Sequence, residues 1–307
     1  MTDPFGPLPR SIAITGATGL LGTALCGHFS RQGCEVRALS RRPPAGSLDS
    51  SPAAGSGGRI RHFPCDLPDR IEPAALEGAE AVIHAAYSMR SRSREVDRRV
   101  NLDGTRKLVD LVRKAGVGRY VFVSSVSAHP EAEGFYGRSK LVLEGELDAG
   151  RDTIIRPGLI LSTGAGLFVR MMNTVKKSGI APMFGGGRQR LQTVHLDDLV
   201  AGFERALRLE AAGTHVLCEP DGLTMRDLFK LLGRLLDRRV VIVPLPFGPA
   251  LAALRAAEAM GLKLPVSSDN LLGLRSLRPA DSRPSLERLG LTIRTAEESL
   301  RALLRGG

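Results

Sequence analysis

The chain has 307 residues, 43% hydrophobic and 24% charged, long enough to bury a large core and ordinary in balance for a globular protein. Its formal net charge is +11, which suits phosphate-bearing ligands or an anionic surface; with 4% aromatics and no Trp, the stacking platforms of a single-strand nucleic-acid binder are scarce, so no nucleic-acid partner is expected. The four cysteines, Cys26, Cys34, Cys65 and Cys218, make no C-x-x-C pair and no His/Cys cluster at metal spacing. No metal is expected, and the thiols read as reduced, as in the cytoplasm.

Asp3 and three prolines precede Arg10, which is not the pattern of a secretory signal peptide. An apolar strand, Ile12-Ala13-Ile14, then runs into Gly16-x-x-Gly19-x-x-Gly22 and an amphipathic stretch from Leu20. Glycines at these points let the backbone turn sharply and let a ligand approach closely. The helix that follows aims its free N–H groups and the positive end of its dipole above the strand, an arrangement suited to a pyrophosphate. Leu21, Leu25 and Phe29 recur every four residues, and Gly33 is placed to end the helix.

Val36 to Leu39 alternates like a second strand and ends in Ser40-Arg41-Arg42. No acidic residue stands there to grip the ribose hydroxyls of NAD. Arg41 and Arg42 instead suit the 2′-phosphate of NADP, with NAD as the alternative. Residues 43–58 are rich in Pro, Gly, Ser and Ala and read as a surface loop. Further strands are expected at Arg59 to Phe63, Ala81 to Ile83 and Tyr120 to Val123, separated by helical stretches. That alternation predicts an α/β fold, a Rossmann-like doubly wound parallel sheet with its ligand beyond the carboxyl ends of the strands. Between strands, Ser88 to Arg99 carries Arg90, Arg92, Arg94, Arg98 and Arg99 against Glu95 and Asp97. It reads as a solvated helix face, with binding of an anionic substrate as the alternative.

Tyr136 and Lys140 lie four apart, on one face of a helix, eleven residues after Ser125. A phenol titrates near 10, so acid–base work near neutrality calls for a lowered pKa, which a neighbouring ammonium supplies. A serine at the end of the preceding strand could hold a carbonyl within reach of the same tyrosine.

In order, Thr15-Gly16-x-x-Gly19-x-x-Gly22, Asp66-Leu67, His84-Ala85-Ala86, Asn101, Ser124-Ser125 and Tyr136-x-x-x-Lys140 resemble the extended short-chain dehydrogenase/reductases, the NAD-dependent epimerase/dehydratase family. Arg156-Pro157-Gly158, Val194 to Leu199 and Leu286 to Gly290 continue the likeness. The resemblance implies Tyr136 as catalytic acid/base, Lys140 on the nicotinamide ribose, Ser125 orienting the carbonyl (with Ser124 and Ser127 as the alternatives) and Asn101 as a proton relay. It implies Gly16, Gly19 and Gly22 around the pyrophosphate and Asp66 and Leu67 around the adenine. Thr18, Leu20, Leu21, Ala85, Ala86 and Pro157 are the further cofactor contacts it implies. Where sugar-nucleotide dehydratases carry Thr-Asp-Glu, this chain has Ser125-Val126-Ser127, which argues against dehydration.

Residues 1–157 are thus expected to form an NAD(P)-binding Rossmann domain, and 158–307 a small substrate-binding region partly interleaved with the sheet. Within the latter, Thr224-x-x-Asp227 and Thr295-x-x-Glu298 read as helix starts. Val240 to Leu254 is apolar but divided by Pro244, Pro246 and Pro249, so it predicts a buried strand running into a helix, with a membrane-surface segment as the alternative, and no stable membrane insertion. The function expected is hydride transfer between NADP(H) and a carbonyl/alcohol substrate. The alternatives are a sugar-nucleotide epimerase or a non-catalytic nucleotide-binding subunit or redox sensor. The expected partner is a small molecule, and homodimers are frequent among the proteins it resembles.

Overall fold

The structure, a computed structural model, describes residues 5–44, 58–88, 94–164, 166–262, 264 and 266–305. Most of the Pro/Gly/Ser loop, and Arg90 and Arg92, lie outside the described residues.

The elements run β1 (Ser11–Thr15), α1 (Leu20–Arg31), β2 (Glu35–Ser40), β3 (Ile60–Asp66), β4 (Arg70–Ile71), β5 (Ala81–His84), α2 (Arg94–Arg98), α3 (Gly104–Lys114), β6 (Arg119–Val123), α4 (Phe135–Gly145) and β7 (Thr153–Pro157). A single π-turn, Arg99–Asp103, joins α2 to α3. There follow β8 (Leu159–Leu161), α5 (Leu167–Lys177), β9 (Ile180–Phe184), β10 (Arg190–Leu191), β11 (Thr193–His195), α6 (Leu196–Arg208), β12 (Gly213–Leu217), β13 (Leu223–Thr224), α7 (Met225–Leu235), β14 (Val241–Leu245), α8 (Phe247–Ala259), α9 (Ser268–Arg275), α10 (Arg283–Leu289) and α11 (Ala296–Arg305).

Eight strands form one sheet in the order β12-β7-β6-β5-β1-β2-β3-β4. Pairing is parallel from β3 through β2, β1, β5 and β6 to β7, while β4 folds back antiparallel on β3. The strands read as continuous apolar runs because both faces are covered; every residue of β1 and β5 is buried. Strand order reverses at β1, with β2 on one side and β5 on the other, so the crevice beyond β1 is the topological switch point where such sheets take ligands.

The chain divides into two compact units. The first comprises 1–124, 142–155 and 200–215; the second comprises 125–141, 156–199 and 216–307. The segment carrying Tyr136 and Lys140 belongs to the second unit. In the first unit, Leu108 and Val112 of α3 pack with Val82, Tyr120 and Phe122 of the sheet. In the second, Phe168, Met171 and Val175 of α5 pack with Leu228 and Leu232 of α7 and Leu300 of α11. Glu219 ties this unit together: its buried carboxylate accepts from the Thr193 hydroxyl at 2.7 Å and from the first N–H of α11, that of Ala296, at 2.9 Å.

The expected helix starts are present. Thr224 accepts from the Asp227 N–H, and Thr295 and Glu298 cap each other reciprocally. Gly33 follows the end of α1 at φ +86°, a conformation that favours glycine. One expectation fails. Val241 to Leu245 is a strand followed by a helix, but it is not buried: it pairs only with β9 in a separate two-stranded sheet, and Ala257 is the one buried residue of α8. An apolar run signals burial only when a second layer exists to cover it.

Candidate active site

The glycine turn is built by backbone proximity. Gly16 has φ +68°, and a Cβ there would stand 2.8 Å from the Ala86 backbone. At Gly22 a Cβ would stand 2.1 Å from the Gly16 carbonyl oxygen, and the Gly19 N–H donates to that same oxygen at 2.8 Å. The turn closes on itself and leaves no room for side chains. Helix α1 starts at Gly19 with no side-chain cap and no acidic residue in its first turn, so its leading N–H groups remain available for an anion. This uncapped, Cβ-free cradle fits the pyrophosphate of a dinucleotide. Thr18 and Gly19 are exposed, whereas the Leu21 side chain is buried in the core, so only its backbone can face a ligand.

The loop after β5 is held over this turn by a buried relay of side chains. The Ala86 N–H donates to Thr15 Oγ1 (3.2 Å), and Thr15 pairs with His84 Nδ1 (2.7 Å). His84 Nε2 pairs with Thr105 Oγ1 (2.8 Å), whose hydroxyl donates to the Asn101 carbonyl (2.6 Å). Because the Thr105 hydroxyl donates to the Asn101 carbonyl, it accepts from His84 Nε2–H. The imidazole is thereby held at both ring nitrogens. Asn101 ends this relay and is buried. Its amide takes the Ser88 N–H at 2.7 Å and gives to the Ser88 carbonyl at 2.9 Å, so both ends brace the post-β5 loop. Asn101 and Leu102 are the buried residues of the π-turn.

Arg41 and Arg42 are exposed just beyond β2, where Ser40 fixes the turn by donating to the Arg42 carbonyl at 2.6 Å. Asp66 is exposed at the end of β3. Leu67 is buried, and its Cβ fills the space beside Gly104, so the side chain packs under the loop.

In the second unit, Ser125 follows β6 and Tyr136 sits in the first turn of α4. Their side chains are hydrogen-bonded, and Ser125 Oγ also accepts from the Ser127 N–H at 3.1 Å. Lys140 is buried one turn further along. The close approach of α4 to the serine loop depends on Gly137, where a Cβ would stand 2.2 Å from the Ser127 carbonyl oxygen. The start of α4 is clamped by α9: Asp269 accepts the Phe135 N–H at 2.6 Å, and the Ser276 hydroxyl accepts the Glu133 N–H at 3.2 Å. Ser124 donates to the buried carboxylate of Glu144 in the first unit. Glu144, four residues beyond Lys140, escaped sequence reasoning although that spacing marks it. Pro157 ends β7 buried, and its carbonyl accepts the Val126 N–H at 3.1 Å.

Burial pushes the Tyr136 phenol above its ordinary value, against a downward pull from the Ser125 hydrogen bond. The expectation that Lys140 lowers it is not met in the isolated chain, where loss of water around the phenolate outweighs the favourable contacts. The four cysteines are free and buried, and burial raises the Cys65 thiol to about 11, which makes it a poor nucleophile.

A parallel sheet with its order reversing at β1, a glycine turn and an uncapped helix start define a Rossmann-like dinucleotide-binding protein. The sequence profile of the NAD dependent epimerase/dehydratase family matches residues 12–218. The chain belongs to that family, which is NAD(P)-dependent. It is 28% identical over 243 residues to a ceramide reductase of Caulobacter vibrioides, covering 76% of this chain and 73% of that protein. The fold matches MoeE5 in complex with UDP-glucose and NAD, at a TM-score of 0.70 and 20% identity over 96% of this chain and 99% of the other. It also matches human epimerase family protein SDR39U1 with NADPH, at a TM-score of 0.70 and 18% identity over 97% and 100%. Among the described residues, no helix is long and apolar enough to cross a membrane.

Proposed function

We propose that this chain is an NADP(H)-dependent oxidoreductase that interconverts a carbonyl and an alcohol, with Tyr136 as acid/base. The observation that carries this reading is the hydrogen-bonded Ser125–Tyr136 pair with Lys140 buried one helical turn away. When bound, the cofactor supplies or accepts the hydride. Ser125 orients the substrate oxygen, and Tyr136 gives that oxygen a proton as the alkoxide forms. Lys140 binds the cofactor ribose and stabilises the phenolate left behind. Asn101 acts as a positioning residue through the Ser88 loop. The similarity to a ceramide reductase supports reduction as the working direction.

The test is to incubate the protein with NADPH and a panel of ketones and aldehydes, including long-chain ones, and follow NADPH absorbance. Oxidation of NADPH that depends on one class of carbonyl is expected. Tight cofactor binding with no turnover on any of them would favour a nucleotide-binding subunit instead.

Two predictions follow from the same residues. Arg41 and Arg42 favour the 2′-phosphate, so NADPH is expected to raise the melting temperature more than an equal concentration of NADH. The reverse order would remove the arginines from cofactor choice. The second concerns pH. A phenol held above its ordinary value stays protonated through neutrality, so carbonyl reduction is expected to persist as pH rises and to fall only on the alkaline side. Alcohol oxidation needs the phenolate and is expected to rise with pH over the same range. Parallel profiles in both directions would take Tyr136 out of proton transfer.

A further inference from the structure

The strands β9 and β14 pair in parallel, with Val241 opposite Ile180 and Val243 opposite Pro182. None of their ten residues is polar. Alternation puts Ala181 and Met183 into the core of the second unit and turns Ile180, Pro182, Val241 and Val243 outward. Ile180 is 51% exposed, Val241 48% and Val243 38%. Phe184, stacked on Phe247 of α8 at 6.2 Å, extends the apolar face at the other end of the strands. A flat β face of this composition is normally covered by something.

The cations beside it indicate what. Val241 N–H donates to the Gly179 carbonyl at 2.8 Å, which brings the beginnings of both strands together. There a cavity of about 440 Å³ is lined by Lys230, Arg234, Arg238 and Arg239 against one acid, Asp237. Lys176 and Lys177, at the end of α5, lead into β9 and are also exposed. Cations in the last turn of a helix complement its dipole, but Arg238 and Arg239 lie beyond α7 and have no such explanation.

We infer that the outward face of the β9–β14 sheet, with its cationic rim, docks on an anionic lipid bilayer. Apolar side chains enter the interfacial region while the rim and its cavity take phosphate headgroups. Docking of this kind needs no spanning helix.

The test is co-sedimentation of the full chain with vesicles of phosphatidylcholine alone and of phosphatidylcholine mixed with phosphatidylglycerol, with light scattering of the free protein. Binding to the phosphatidylglycerol vesicles that weakens with salt is expected, with little to phosphatidylcholine alone. Arg238→Gln with Arg239→Gln should weaken binding by roughly fivefold per charge, and Val243→Asp should abolish it. Both variants should keep the melting temperature and its rise with NADPH. Should Val243→Asp misfold, the arginine pair still decides the matter. Absence of binding to the anionic vesicles, or binding indifferent to the arginine pair, would overturn the inference. So would a dimer in solution that the Val243→Asp chain no longer forms, which would make a second copy the cover.

Discussion

Tyr136→Phe is expected to reduce turnover by about a hundredfold to ten-thousandfold, the usual worth of a positioned general acid. The cofactor dissociation constant should change little. The substitution removes one hydroxyl and leaves the ring among the same neighbours, so the fold should hold. The Ser125 hydroxyl loses its partner but keeps the Ser127 N–H, so the serine loop has reason to stay in place. Steady-state kinetics with NADPH and the best carbonyl, alongside cofactor titration of the same preparation, would measure this. The expected pattern is a loss in kcat with unchanged cofactor affinity; unchanged kcat would exclude Tyr136 as the proton donor. Ser124→Ala is the informative control. That hydroxyl is committed to Glu144, so any loss there should appear in the melting temperature before the rate.

Gly22→Ala is expected to act on the other half of the chemistry. The added methyl would stand 2.1 Å from the Gly16 carbonyl oxygen and 2.9 Å from the Ala17 Cα, backbone atoms that cannot rotate away. Overpacking of this kind costs about 1–3 kcal/mol. Carried by the turn alone, that is roughly a tenfold to hundredfold loss in cofactor affinity. Calorimetric titration with NADPH would read it, and a small change in unfolding midpoint would separate a distorted turn from a damaged core. Cofactor affinity equal to the parent's would mean that the turn does not hold the pyrophosphate.

Much of both units was legible where the signals are local. The spacing of Leu21, Leu25 and Phe29 names a helix face, the glycine intervals name a turn, and the four-residue step from Tyr136 to Lys140 names a shared surface. What escaped depends on pairing between distant segments. Ser124 and Ser125 are equivalent in sequence; only Glu144 on one side and Tyr136 on the other tell them apart. That the Asn101 amide meets both backbone groups of Ser88 is likewise a pairing that the motif order does not spell. Val241 to Val243 has the composition of a core strand, and nothing local says that among the described residues it is left exposed. The direction of the Tyr136 shift failed for a similar reason, since burial is a property of the whole neighbourhood.

The division of the chain has an evolutionary consequence. The backbone passes between the units after residues 124, 141, 155, 199 and 215. Four of those passages fall inside α4, β7, α6 and β12, and the fifth comes directly after β6. Recombination works best where a linker separates two modules, and here a crossover at four of the five boundaries would cut through a helix or a strand. Such a chain is therefore expected to diversify by point substitution within an intact frame. A deletion series from either end should yield insoluble fragments, with no length at which a working half emerges.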